Sequence, residues 1–192
     1  QSLSNVTSAS VSVAPVTPIN SNGSTPFSIT FTPLSAGPYS FVVSIANNDL
    51  DEHPYTWTVT GTAFVQAPEM AVVSNVAITD GGTHPVGTQA RNTNRTITYR
   101  IDNTGTSALS LSGTPQVTAV AGTRVSSATV TAQPPASIPA GGSGTFVITY
   151  RVINTGPFNF TVSILNTDSN ENPYNWRVTG TAAGSGGGNI GP

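Results

Sequence analysis

The chain has no cysteine. That removes disulfides, thiol catalysis and thiolate metal sites together. It has no lysine either, since its six basic residues are all arginine. Lys–Asn isopeptide cross-links are therefore excluded. Charged residues make up 7% of the sequence, against roughly a quarter in an ordinary soluble domain. The net charge is −2. So neutral a chain has no electrostatic footprint for nucleic acid or an anionic membrane, and no such partner is expected. No apolar run reaches the length of a membrane-spanning helix. No signal-peptide pattern is visible, and Gln1 suits either a mature or a truncated start.

Polarity comes instead from Ser, Thr, Asn and Gly, and the apolar residues are patterned rather than scarce. One stretch occurs twice. Residues 47–63 read NNDLDEHPYTWTVTGTA, and residues 166–182 read NTDSNENPYNWRVTGTA. The offset is 166 − 47 = 119. It holds without a gap over residues 24–63 and 143–182, with roughly half the positions identical. More distantly, residues 1–23 resemble 120–142 at the same offset. In each copy an Asn, Asp and Pro cluster forms a turn. Tyr55, Trp57 and Val59 then alternate with threonines, as Tyr174, Trp176 and Val178 alternate with Asn175, Arg177 and Thr179. Period two marks a strand with one buried face. The spacing predicts the last strand of a β-sandwich, with Trp57 and Trp176 directed into two cores.

Similar alternation recurs along the chain. Strands are expected at residues 9–13, 27–31 and 39–46 in the first repeat. In the second they are expected at 70–78, 97–101, 109–111, 117–120, 124–132, 146–150 and 158–164. The 124–132 strand slips phase near Ser126 and Ser127, as at a bulge. Residues 79–94, rich in Gly, Thr and Asn, read as a long loop, and 102–105 as a turn. Many short strands without helical periodicity argue an all-β fold of tandem immunoglobulin-like sandwiches. The expected division is 1–65, 66–183 and a Gly-rich linker or tail at 184–192. The expected core includes Tyr55, Trp57, Tyr99, Phe146, Phe160, Tyr174 and Trp176.

Four segments carry a family resemblance. They are Pro68-Glu-Met-Ala-Val; Asn103-Thr-Gly-Thr-Ser-Ala-Leu-Ser-Leu-Ser-Gly; Ile138-Pro-Ala-Gly-Gly-Ser followed by Thr145-Phe; and the Asn-Asp…Glu-x-Pro-Tyr…Thr-Gly-Thr ending of both copies. Together they resemble the choice-of-anchor D repeats of bacterial surface proteins, relatives of the Hydin-type immunoglobulin-like domains. The resemblance implies an extracellular, tandemly repeated β-sandwich on a secreted or anchored protein. It brings no catalytic residues. The match departs in the 80–94 loop, which is shorter and lacks the Phe-Gly that often follows it.

No chemistry rises above background. Asp49, Asp51 and Glu52 suggest a weak calcium loop, since hard cations take clustered carboxylates. The second copy keeps Asp168 and Glu171 but has Asn170 in place of Asp51, and the spacing is not that of an EF-hand. An Asx-stabilised turn explains the same residues. His53 and His84 are the only histidines, and no nucleophile-elbow sequence accompanies them. No catalytic residue and no cofactor are expected. The leading expectation is a structural module: a stalk, spacer or filament segment of a surface protein. The alternative is an adhesin-type binding module that takes a glycan or protein through end loops, with Asp80, His84 and Arg91 in the 79–94 loop.

At the 119 offset, residues 69–118 have no counterpart in the first repeat. That repeat should lack its opening strands and leave an apolar face with open edges. Upstream sequence could cover it, or a neighbouring chain could do so by strand addition, with identical subunits or neighbouring repeats as the partners. The Gly-rich tail is a poor donor, because Ile190 is its only large apolar residue.

Overall fold

A computed structural model describes residues 3–184. The tail beyond, with Ile190, lies outside the described residues. The chain divides into two compact units, Gln1–Val65 and Gln66–Pro192. Among the described residues every regular element is a β-strand.

The first unit holds β1 (Leu3–Ser4), β2 (Val6–Val13), β3 (Ser28–Pro33), β4 (Gly37–Ile45) and β5 (Tyr55–Ala63). They form a three-stranded sheet in the order β1-β4-β5 and a two-stranded sheet of β2 and β3, all antiparallel. The small core between them is Val6, Phe41 and Val43. Ala9, Phe27, Ile29, Phe31, Tyr39, Trp57 and Val59 pack against it, only partly buried.

In the second unit β6 (Met70–Val73) and β7 (Ala77–Ile78) form a short hairpin. There follow β8 (Thr83–Ala90), β9 (Asn94–Asn103), β10 (Leu109–Ser110), β11 (Val117–Ala121), β12 (Val125–Ala132), β13 (Ser137–Ile138), β14 (Ser143–Val152), β15 (Gly156–Ile164) and β16 (Tyr174–Ala183). One sheet runs β12-β14-β9-β6-β7 and the other β11-β15-β16-β8; β10 and β13 pair separately. Both large sheets turn alternate residues inward, and strand β14 shows why. Its sequence SGTFVITYRV places Phe146, Ile148, Tyr150 and Val152 on the buried face. Trp176 sits with Tyr99, Phe146 and Tyr174 in one aromatic cluster, and Phe160 packs on Tyr150. All of these side chains are buried.

The repeat is faithful well below the level of strand order. Strand β2 repeats β12 residue for residue at the 119 offset, and β4 repeats β15. The bulge expected near Ser126 and Ser127 is present between Val125 and Ser127, and β2 carries its twin between Val6 and Ser8. Gly61 and Gly180 also correspond. A Cβ at either would strike the ring of Tyr39 or Phe158, so glycine is required for the ring to lie flat on the strand.

Among the described residues the first unit has nothing equivalent to β6–β10. In the second unit β9 lines the free edge of β14, and β8 lines that of β16. Among the described residues nothing pairs with the corresponding edges of β3 and β5.

Two expectations are corrected. Residues 79–94 are not one loop, because β8 runs through them, parallel to β16. Pro85 and Gly87 break its alternation, and the register shifts opposite them, between Thr179 and Thr181. Tyr55 is not a core residue, being 50% exposed. Its counterpart Tyr174 is buried and donates its hydroxyl to the Ile78 carbonyl on β7. Among the described residues the first unit has no counterpart of β7 to receive Tyr55.

Candidate functional site

The Asx turn before the last strand is built alike in both copies. The Asn47 Nδ2 donates to the carbonyls of Ile45 and Glu52, and its Oδ1 accepts the Asp49 N–H at 2.8 Å. The Asn166 side chain does the same with Ile164, Glu171 and Asp168. The sequence predicts this role for the cluster. Asp49, Asp51 and Glu52 are exposed on the first turn.

The second turn differs because β6 starts beside it. Asp168 is buried, and its Oδ2 accepts the Met70 N–H at 2.8 Å. Its Oδ1 accepts the Asn170 N–H at 3.4 Å. Glu69, just before β6, completes a cluster in which oxygens of Glu69, Asp168 and Glu171 lie within 4.8 Å of one another. Among the described residues, this trio and not Asp49, Asp51 and Glu52 is where carboxylates converge. Asp49 has the same chemistry as Asp168 but no opening strand to cap. Three side chains fall short of the six to eight oxygens that calcium takes. Both oxygens of Asp168 already receive backbone N–H groups.

The Glu171 Oε2 is buried with no hydrogen-bond donor. Desolvation, with Asp168, Glu69 and Asp80 nearby, raises its pKa above the ordinary carboxyl value. A carboxyl so shifted holds its proton more tightly in the folded state. Its contribution to stability is full below the unfolded pKa and is lost as pH rises through the folded one. Glu171→Gln is therefore expected to raise the thermal midpoint at pH 7 and to change it little at pH 3. Melting curves across that range check this, and a pH-independent difference would contradict it.

His84 was expected in a binding loop, and the structure instead buries it on β8 at 3% exposure. Its Nδ1 lies 2.8 Å from the Tyr99 Oη and its Nε2 3.1 Å from the Asn75 Oδ1. The tautomer that satisfies both has Nε2–H donating to Asn75 and Nδ1 accepting from the Tyr99 hydroxyl. The Tyr99 oxygen then accepts the Trp176 indole N–H at 3.5 Å. Burial lowers the His84 pKa and raises that of Tyr99, so both stay neutral. With both ring nitrogens engaged, His84 is a structural link between the sheets and not a free base.

Asp80 is half-buried, and its Oδ1 accepts the N–H groups of Gly81 and Asn175 at 2.9 and 2.7 Å. It staples the chain before β8 to the start of β16. Arg91 is half-buried just beyond β8. Asp80, His84 and Arg91 therefore do not share one loop surface. The exposed His53 spends its Nδ1 on the Asn47 N–H at 3.1 Å.

The feature left without a structural use is the open side of the first unit. The β3 edge, Ser28–Pro33, has no charged residue, and β5 has none either. Natural sheet edges that face water are commonly guarded by charge, a bulge or proline. Trp57 is half-buried against Phe27 and Tyr55, with ring centroids 6.2 and 5.8 Å away. Its counterpart Trp176 is 2% exposed. Sequence comparison foretold the missing strands and the open edges; the pairing identifies those edges as β3, which ends in Pro33, and β5.

No family model matches the chain, and no curated protein does. Among solved structures it is similar to a protein of unknown function from Porphyromonas gingivalis W83. The identity is 13%, with 81% of this chain and 71% of that one covered, at a TM-score of 0.44. It is also similar to the ASH/PapD-like domain 7 of human CEP192, with 13% identity, 65% and 92% coverage and a TM-score of 0.39. A third likeness, at 12% identity and a TM-score of 0.43, is to the secreted serine protease VesC from Vibrio cholerae. It covers 52% of this chain, which spans only 21% of that protein's length.

Proposed function

We propose that this chain is a non-catalytic structural module of an extracellular tandem-repeat surface protein, a stalk, spacer or filament segment. One observation carries the reading: the same unit recurs in tandem, down to twin bulges and matched turn hydrogen bonds. A repeat so alike in backbone detail, with the buried His84, Asn103, Asn166 and Asp168 spent on internal bonds, suits a spacer. The resemblance to choice-of-anchor D repeats supports placement at the cell surface.

A spacer must hold its shape under tension. In single-molecule extension of the chain by its ends, the second unit is expected to open in one cooperative step. That step should release roughly 400 Å of chain, from about 3.5 Å per extended residue. Smooth extension without a force peak would remove the spacer reading.

A further inference from the structure

We propose that the second unit carries a binding site for a sugar acid, a carboxylate with neighbouring hydroxyls, in the cleft between β8 and the first half of β9.

Two side chains point to it. Tyr150 on β14 is 2% exposed, and its ring packs on Phe158 and Phe160. It borders the cleft, and its hydroxyl makes no hydrogen bond among the described residues. Buried polar groups are ordinarily paired, so this one calls for an explanation. The core does not require the hydroxyl, because Phe31 holds the same place in the first unit at the 119 offset. Burial raises the Tyr150 pKa against the opposing pull of Arg95, and the group stays a neutral O–H. Arg95 faces Tyr150 across the β14–β9 ladder, so its side chain leaves the strand on the inward side. It is exposed, and among the described residues it makes neither an ion pair nor a hydrogen bond. An inward-facing arginine without an acid is set to receive an anion from outside.

The cleft has a structural cause. Strand β6 stops at Val73, opposite Arg100, and leaves residues 94–99 of β9 without a strand on that side. The Ser74 Oγ donates to the Thr98 carbonyl there at 3.0 Å. Thr96, two residues along, turns its backbone N–H and C=O to the same side, where no strand meets them. The resulting space is about 370 Å³, toward the small end of ligand sites.

The groups around it specify the ligand. A planar carboxylate fits the guanidinium fork. Arg95 is the one cation bordering the cleft, which matches a monoanion better than a phosphate near two charges. Gln89 gives its Nε2 to the Val86 carbonyl, which leaves its Oε1 to accept. The Asn75 Oδ1 is taken by His84, which leaves its Nδ2 to donate. Donors and acceptors side by side match hydroxyl groups, which are both. Val86 and Ile97, half-buried, offer an apolar wall to the C–H face of a sugar ring.

The test titrates N-acetylneuraminic acid and glucuronic acid into the 1–192 chain at low ionic strength, read by calorimetry and backbone amide shifts. Glucose, which lacks the carboxylate, and acetate, which lacks the hydroxyls, are the controls. At least one sugar acid is expected to bind saturably at about millimolar or tighter, moving the amides of Val86, Gln89 and Ile97 and none in the first unit. Tyr150→Phe should weaken binding about tenfold and Arg95→Gln more than that. Phe31 shows that the fold accepts phenylalanine at the Tyr150 position, and Arg95 is exposed, so both variants keep the fold. Binding of the methyl glycoside as well as the free acid would support the site and assign it to the end of a glycan. Binding of the free acid alone would support it and assign it to a free sugar acid. No saturation by either acid at about 10 mM would overturn the proposal. So would equal binding of glucose or acetate, or variants that bind as the parent does. The extension experiment reads unfolding and the titration reads this cleft, so either proposal can fail without the other.

Discussion

Trp176→Ala is expected to destabilise the second unit by about 3–5 kcal/mol, and Trp57→Ala to cost the first unit distinctly less. The two tryptophans are equivalent in sequence. Trp176 is 2% exposed and is walled by the rings of Tyr99, Phe146 and Tyr174 at centroid distances of 5.1, 6.2 and 6.2 Å. Truncation would leave a cavity among rings fixed in opposite sheets, which cannot close over it. It would also strip the Tyr99 hydroxyl of one partner. Among the described residues Trp57 has no counterpart of Tyr99, and water already reaches part of its ring. Its removal forfeits less burial and opens a groove instead of a void. Denaturant unfolding followed by amide exchange at Phe146 and at Phe41 separates the two units. Equal losses in both would contradict this account of what the missing strands do.

The difference between the twins marks how far the sequence could be read. Period-two alternation placed the inward faces of β14, β15 and β16, because a strand covered on one side repeats its burial every second residue. The phase slip at Ser126 and Ser127 placed a bulge. Strand β8 escaped detection for a physical reason. It holds Pro85 and Gly87, and its partner β16 lies at the far end of the unit. A parallel edge strand is specified by that distant partner and not by its own pattern. Tyr55 was misplaced for a related reason. Its strand has the right alternation, but burial needs a second surface, and that surface belongs to strands with no counterpart among the described residues of the first unit.

The polar sites were less legible than the strands. The turn chemistry of Asn47 and Asn166 is local and could be read from Asx residues and proline. The contact between Asp168 and the Met70 N–H joins residues 98 positions apart, and no spacing rule foretells it. Repetition itself hid the effect. Asp49 and Asp168 align, yet one is exposed and the other 1% exposed, because only the second has β6 beside it. The same holds for His84, whose burial follows from β8 being a strand.

Asn103→Ala is the second substitution expected to have a large effect, about 2–4 kcal/mol on the second unit. The sequence places Asn103 at a turn, where an exposed Asx residue would be dispensable. The structure buries it at 1% exposure and uses its side chain fully. Its Nδ2 donates to the carbonyls of Ser107 and Ile138 at 2.8 and 3.0 Å. Its Oδ1 accepts the N–H groups of Glu69 and Gly105 at 3.3 and 3.1 Å. One side chain therefore ties the entry to β6, the turn after β9 and the β13 strand. Alanine would remove all four bonds and leave the buried Ile138 carbonyl without this donor. Asn103→Asp should be worse near neutral pH, since a carboxylate has nothing to donate to either carbonyl and sets its charge against both. Protonation would return one donor, so the Asp variant should recover part of its stability at low pH. An exposed substitution such as Thr118→Ala should stay within about 0.5 kcal/mol and serves as the reference. The measurement is the unfolding midpoint of the second unit, with amide exchange at Met70 and Leu111 to show where the structure loosens. An Asn103→Ala midpoint indistinguishable from that reference would mean that water replaces the side chain at no cost, and that the junction does not depend on it.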